Sequence, residues 1–92
     1  MQEILSRPLS VEEMRRQMEA RKCVRGIVPV QFEDLFDMNL DEFYDCISEN
    51  LTGSSMLLNA SYTIRGHLEH TLLLEVVGDA SEILEMEDEE EV

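Results

Sequence analysis

Tryptophan is absent from this 92-residue chain, and its four glycines stand singly at positions 26, 53, 66 and 78. Isolated glycines exclude a phosphate-cradling loop, which needs several in one turn so that backbone N–H groups converge on an anion. Long apolar runs are missing too. Leu72–Leu74 is cut off by Glu75, far short of the roughly 20 apolar residues of a membrane helix. The first twenty residues alternate polar and apolar, which predicts no secretory leader. Cysteine is limited to Cys23 and Cys46, with no metal-type spacing. Both stand where an apolar side chain would serve, so they are expected to be buried free thiols of a reducing, cytoplasmic protein. A single disulfide between them is the less favoured alternative.

Positive charge is equally scarce. Seven Lys and Arg face 21 Asp and Glu, a net charge of −14. Residues 1–25 hold six of the seven bases and four acids, a balance of +2, while residues 26–81 hold Arg65 and ten acids, a balance of −9. Residues 82–92 add seven acids and no base. Such a chain repels nucleic acid and anionic membranes and attracts basic protein surfaces.

What remains is enough to fold. Apolar residues make up 43% of the sequence, above what a wholly disordered chain carries and sufficient for one modest core. Residues 1–9 read as a loose arm. Ser10 and Glu13 then form a capping box, with Leu9 and Met14 as its hydrophobic staple. Val11, Met14 and Met18 continue an apolar stripe opposite Glu12, Arg15, Arg16 and Glu19, so an amphipathic helix is expected over about 11–22. Val24, Ile27, Val28, Val30 and Phe32 predict an extended segment over 24–32, and Pro29, which cannot donate to a ladder, makes it an edge strand or an irregular one.

After an acidic connector at 33–38 with room for one helical turn, Asn39 and Glu42 give a second cap, stapled by Met38 and Phe43. Phe43, Cys46, Ile47, Asn50 and Leu51 mark the inward face of a helix over about 40–51, which Gly53 ends. Residues 55–78 alternate as a β-hairpin. With the connector placed at Gly66–His70, Arg65 faces Thr71, and Ile64, Tyr62 and Ala60 meet Leu72, Leu74 and Val76. A weaker cap at Asp79 and Glu82 starts a short helix through Leu84, and 85–92 reads as an acidic, disordered tail.

The fold expected is therefore α+β and two-layered. A small antiparallel sheet, hairpin 55–78 plus edge strand 24–32, is covered by helices at about 11–22 and 40–51, all within one domain over 1–84. Leu57, Leu73 and Val77 fall on the other face of the sheet. The first helix or a second copy of the chain would cover them, which makes them a candidate interaction surface.

Chemical constellations are weak by comparison. Asp37-x-Asn39-x-Asp41 imitates the start of a calcium loop, but Glu42 stands where the turn needs glycine and Ser48 where it needs a bidentate glutamate. A capped helix N-terminus accounts for the same residues. His67 and His70 share the hairpin connector without the further ligands that zinc requires. Two sequons, at Asn50 and Asn59, carry no weight without a secretory leader. No nucleophile elbow or catalytic-cysteine context occurs. The chain is expected to be no enzyme and to hold neither metal nor cofactor. Asp34, Asp37, Asp41, Asp45 and Glu49 recur at three- and four-residue spacing, and on one continuous helix they would form an anionic ridge. That ridge is either an ordinary solvated face or a surface for a basic partner.

The stretches Asp37-Met-Asn-Leu-Asp-Glu-Phe-Tyr-Asp45, Leu51-Thr-Gly-Ser54, Ala60-Ser-Tyr62 and Leu72-Leu-Leu-Glu-Val-Val-Gly-Asp79 resemble small uncharacterised proteins encoded in conjugative or transposon-type elements of Firmicute gut bacteria. The resemblance spans about half of the chain. It implies a bacterial cytoplasmic accessory protein and transfers no residue roles. The reading favoured by the residues themselves is a small acidic protein–protein interaction module, possible as a homodimer. An inhibitor or nucleic-acid mimic acting on a basic DNA-binding protein is the alternative. A small metal protein or enzyme ranks third.

Overall fold

The computed structural model describes residues 7–90, with side chains described through Glu87. Helix α1 (Val11–Arg21) leads to strand β1 (Val24–Gln31), a single helical turn α2 (Phe32–Leu35) and helix α3 (Leu40–Thr52). Strands β2 (Leu58–Leu68) and β3 (Thr71–Asp79) and helix α4 (Ser81–Glu90) complete the order. The three strands form one antiparallel sheet in the order β1-β3-β2, which is the α+β architecture expected.

Both main helices begin on the residues that their sequence marks. Ser10 Oγ accepts from Glu13 N at 3.1 Å and donates to the Glu13 carboxylate, while Leu9 and Met14 are both buried. Asn39 Oδ1 accepts from Glu42 N at 2.9 Å. At the far end of α3, Gly53 adopts φ 80° and donates to Glu49 O, closing the helix in the left-handed region that glycine enters without steric cost. The first nine residues are not all a loose arm. Leu9 N donates to Leu51 O at 2.8 Å, and the Leu9 side chain joins the core.

The core forms on the sheet face carrying Val24, Val28 and Val30 of β1 and Leu74 and Val76 of β3. Met14, Ile47, Leu51, Leu57, Ala80 and Ile83 close over it. Three helices thus contribute buried residues, one more than expected. The inward face of α3 is also turned from the one predicted. Asn50 is exposed, its amide bonded to Cys46 O, while Ser48 and Thr52 are buried. Thr52 is tolerated because its hydroxyl reaches Ser48 O at 2.8 Å and Ser54 O at 2.9 Å.

The hairpin register differs from the expected one. Leu68 pairs with Thr71, Ile64 with Leu74 and Tyr62 with Val76, so the connector shrinks to Glu69–His70 and β2 gains residues 66–68. Gly66 is not the turn. The ladder slips between Ile64 and Gly66, leaving Arg65 as the extra residue of a bulge, and Glu69 takes φ 53° in the tight turn instead. The slip is even for Tyr62 and Ile64, which is why they remain on the core side of the sheet. Helix α4 runs on to Glu90, so 85–90 is helical rather than a disordered tail, and residues 91–92 lie outside the described residues. Asp79 precedes its cap, accepting from Ser81 N at 2.8 Å. Those bonds to Ser81 hold the Asp79 carboxyl below the ordinary aspartate range.

Candidate functional site

Of the candidate surface residues, Leu57 is misplaced by the sequence reading. It is buried in the core and lies directly over Gly78, so close that a Cβ built there would meet Leu57 Cγ at 2.5 Å. The absent side chain of Gly78 is what admits it. Leu73 and Val77 do lie on the outer face, half-buried, opposite Pro29 and Arg25 respectively, with Ile27 on the same face between those two. Ile27 is buried without belonging to the core cluster that Met14, Ile47 and Ile83 of the helices join.

The outer face is small. Three strands about 4.8 Å apart and roughly eight residues long present on the order of 400 Å². A stable dimer usually needs about 800 Å² per partner. The middle of this face is also occupied by an ion pair. Arg65 donates through Nε and a terminal nitrogen to Glu75, which faces Ile27 on one side and Thr63 on the other. That bond holds the Glu75 carboxyl below the usual glutamate range.

The five acids do not form one continuous helical ridge. The helix breaks between Leu35 and Leu40, so Asp34 and Asp37 do not continue the face of α3 that carries Asp41, Asp45 and Glu49. Asp34, Asp37, Asp41, Asp45 and Glu49 are all exposed. Cys23 and Cys46 are free thiols, and both are half-buried rather than fully buried. Burial, together with the charges of Asp34 and Glu49, pushes the Cys46 thiol up from its ordinary value, against a 3.4 Å contact from the Asn50 amide. Among the described residues no His, Cys, Asp and Glu side chains gather in a group that could hold a metal ion, and no helix is long and apolar enough to cross a membrane.

The apolar surface that sequence reading missed lies elsewhere. An open groove of about 320 Å³ is lined by Leu35, Met38, Asn39, Leu40 and Phe43 from the α2–α3 region and by Tyr62, Ile64 and Leu72 from the sheet. Leu40 is 66% exposed, Ile64 61% and Tyr62 40%. Phe36, next in the chain to Leu35, is 87% exposed. Large apolar side chains held in water beside a groove, rather than scattered singly, are what binding surfaces show.

The groove is built on rigid parts. Phe43 and Tyr62 meet edge to face, with ring centroids 5.1 Å apart and planes at 80°. Tyr44 adds contacts to both, at 5.9 Å to Phe43 and 6.2 Å to Tyr62. Aromatic pairs of this kind contribute about 0.5–1.5 kcal/mol beyond area burial, and here they tie α3 to β2. The helix N-terminus fixed by Asn39 places Leu40 at the rim.

The surrounding charge has one sign. Residues 26–64 contain seven acids and no Lys or Arg. The next base, Arg65, is engaged by Glu75. One part of this groove left a signal in the sequence: Leu40, in the first turn of the predicted helix, is a large apolar residue outside the inward face assigned to that helix. Comparison with protein-family models, with curated proteins and with solved structures returned no match.

Proposed function

We propose that this chain is a small non-enzymatic interaction module, which holds a segment of another protein in the groove between the α2–α3 connection and β2. The observation that carries the reading is the alignment of exposed Leu40, Tyr62 and Ile64 along one apolar groove that α3 and β2 already hold open. Such side chains are costly to leave in water, at about 25 cal/mol for each Å² a partner would bury. The outer face with Leu73 and Val77 is the weaker candidate because of its size and its central ion pair. A homodimer built on that face is not part of the proposal.

The test uses affinity capture from cells that express the protein. Three baits are compared: the unaltered chain, Leu40→Ser/Ile64→Thr in the groove, and Leu73→Thr/Val77→Thr on the outer face. Since Leu40 and Ile64 are mostly exposed, the first pair of changes leaves the core intact. A partner held by the unaltered and outer-face baits and lost from the groove bait is expected. Equal recovery on all three baits, or loss only from the outer-face bait, rejects the groove.

A further inference from the structure

We infer that the occupant of this groove is an extended, basic segment that adds as a fourth strand to the free edge of β2, an inference that rests on the proposed function above. The two edges of the sheet are treated differently by the sequence. Edge strands invite pairing with other chains, and proteins block them with proline, lysine, short length or β-bulges. The β1 edge is blocked: Pro29 supplies no N–H at its middle, and the Arg25 N–H is taken up by Gln17 Oε1 of α1 at 2.8 Å. β2 is the longer edge, 11 residues without proline or lysine; bulges between Leu58 and Ser61 and at Arg65 confine its open stretch to Ser61–Ile64, and its single base is held by Glu75 on the outer face. In an antiparallel ladder every second residue of an edge strand turns its N–H and C=O away from its partner. Between the bulged positions of β2, residues Ser61–Ile64 pair with β3 in unbroken register.

The groove lies under that regular stretch. A strand laid along Ser61–Ile64 would set alternate side chains beside Tyr62 and Ile64, about 4.5–5.5 Å away, and over Leu40 and Phe43. Its specificity therefore reads as apolar residues at every second position. Charge selects the rest. Asp37 and Asp41 adjoin groove residues Met38 and Leu40 in the chain, and no base lies anywhere in residues 26–64 to repel a cation. A second copy of this chain would bring its own seven acids of that region to the same edge, whereas a segment carrying Lys or Arg beside its apolar residues meets complementary charge. Strand addition of this kind draws affinity from main-chain bonds and specificity from alternate side chains.

The experiment selects random peptides of roughly ten residues, about the length of one strand, on the full chain, with counter-selection on Leu40→Ser/Ile64→Thr. Enriched peptides are expected to carry apolar residues at alternate positions and two or more Lys or Arg. On binding, alternate amides of Ser61–Ile64 become protected from hydrogen exchange. Asp37→Asn/Asp41→Asn weakens binding about threefold, and added salt does the same. Apolar residues at three- and four-residue spacing, without protection of β2 amides, would overturn the strand inference and leave the groove standing as a helix site. Uncharged or acidic winners would overturn the basic assignment. A concentration-dependent dimer dissolved by Ile64→Thr would assign the edge to a second copy. No enrichment over the groove variant would overturn both the inference and the proposed function.

Discussion

Replacing Gly78 with alanine would place a methyl carbon 2.5 Å from Leu57 Cγ, 2.6 Å from Cδ2 and 3.0 Å from Cδ1. All three atoms belong to one branched side chain that is itself buried, so no free end can swing aside. The backbone of Gly78 needs no left-handed conformation, and alanine there should gain about 0.4–1 kcal/mol by restricting the unfolded chain. Overpacking costs more, typically 1–3 kcal/mol. The net expectation for Gly78→Ala is a loss of about 1–2 kcal/mol, or roughly 4–16 °C in melting temperature for a domain of this size. Leu57→Ala alone leaves a cavity and costs about 2–5 kcal/mol. Combined, the two changes should cost less than their sum by at least about 1 kcal/mol, because the new methyl fills part of the space that Leu57 leaves. Thermal and urea unfolding of the four proteins of this cycle measure the coupling. A Gly78→Ala variant as stable as the parent, or strict additivity with Leu57→Ala, would refute the claim that Gly78 exists to admit Leu57.

Two further outcomes follow from features of the same sheet and helix. Glu69 occupies the left-handed region in the two-residue turn, where a non-glycine residue is strained by about 1–2 kcal/mol. Glu69→Gly should therefore raise stability by up to about 1 kcal/mol once glycine's larger unfolded-state entropy is subtracted; a loss in urea unfolding would contradict the observed turn. The Cys46 thiol, held up by burial, Asp34 and Glu49, should react with iodoacetamide more slowly than an open thiol, and Asp34→Asn should quicken it. Because the folded thiol keeps its proton longer than the unfolded one, its effect on stability is absent well below pH 9 and becomes a loss as pH climbs past 9. Unchanged alkylation in Asp34→Asn would remove Asp34 from the neighbourhood of Cys46.

The helix starts were legible because they rest on local chemistry. Ser10 and Asn39 cap within three residues of themselves, and no distant contact is needed to place them. Strand assignment was legible for the same reason, since alternation and β-branching are local. The hairpin register was not. A glycine at the end of an alternating run reads as a turn, and only the partner strand decides that Arg65 bulges and that Glu69 turns instead. The error in Leu57 has a different origin. It precedes β2, so its face is set by the approach of the chain over Gly78 rather than by strand alternation. Leu40 could be picked out as an apolar residue off its helix's inward face, but the groove itself could not, because it is formed by residues from α2, α3, β2 and β3, and no periodicity in one segment reports a space between four. The ridge failed because spacing alone assumed an unbroken helix from 34 to 49, while the chain leaves the helix after Leu35 and starts a new one only at Leu40.

Every strand pairing in the sheet includes β3, which is third in sequence among the described strands and the middle one in space. A growing polypeptide that has not yet reached Thr71 therefore has β1 and β2 without a ladder to join. The sheet can assemble only once β3 has emerged, because β1 and β2 both pair with it and not with each other. Such an arrangement couples the two seams into one cooperative unit. A chain stopped a few residues before Asp79 would lose the completion of both seams together, so proteolysis of the β3–α4 region should unravel far more of the molecule than the segment it removes.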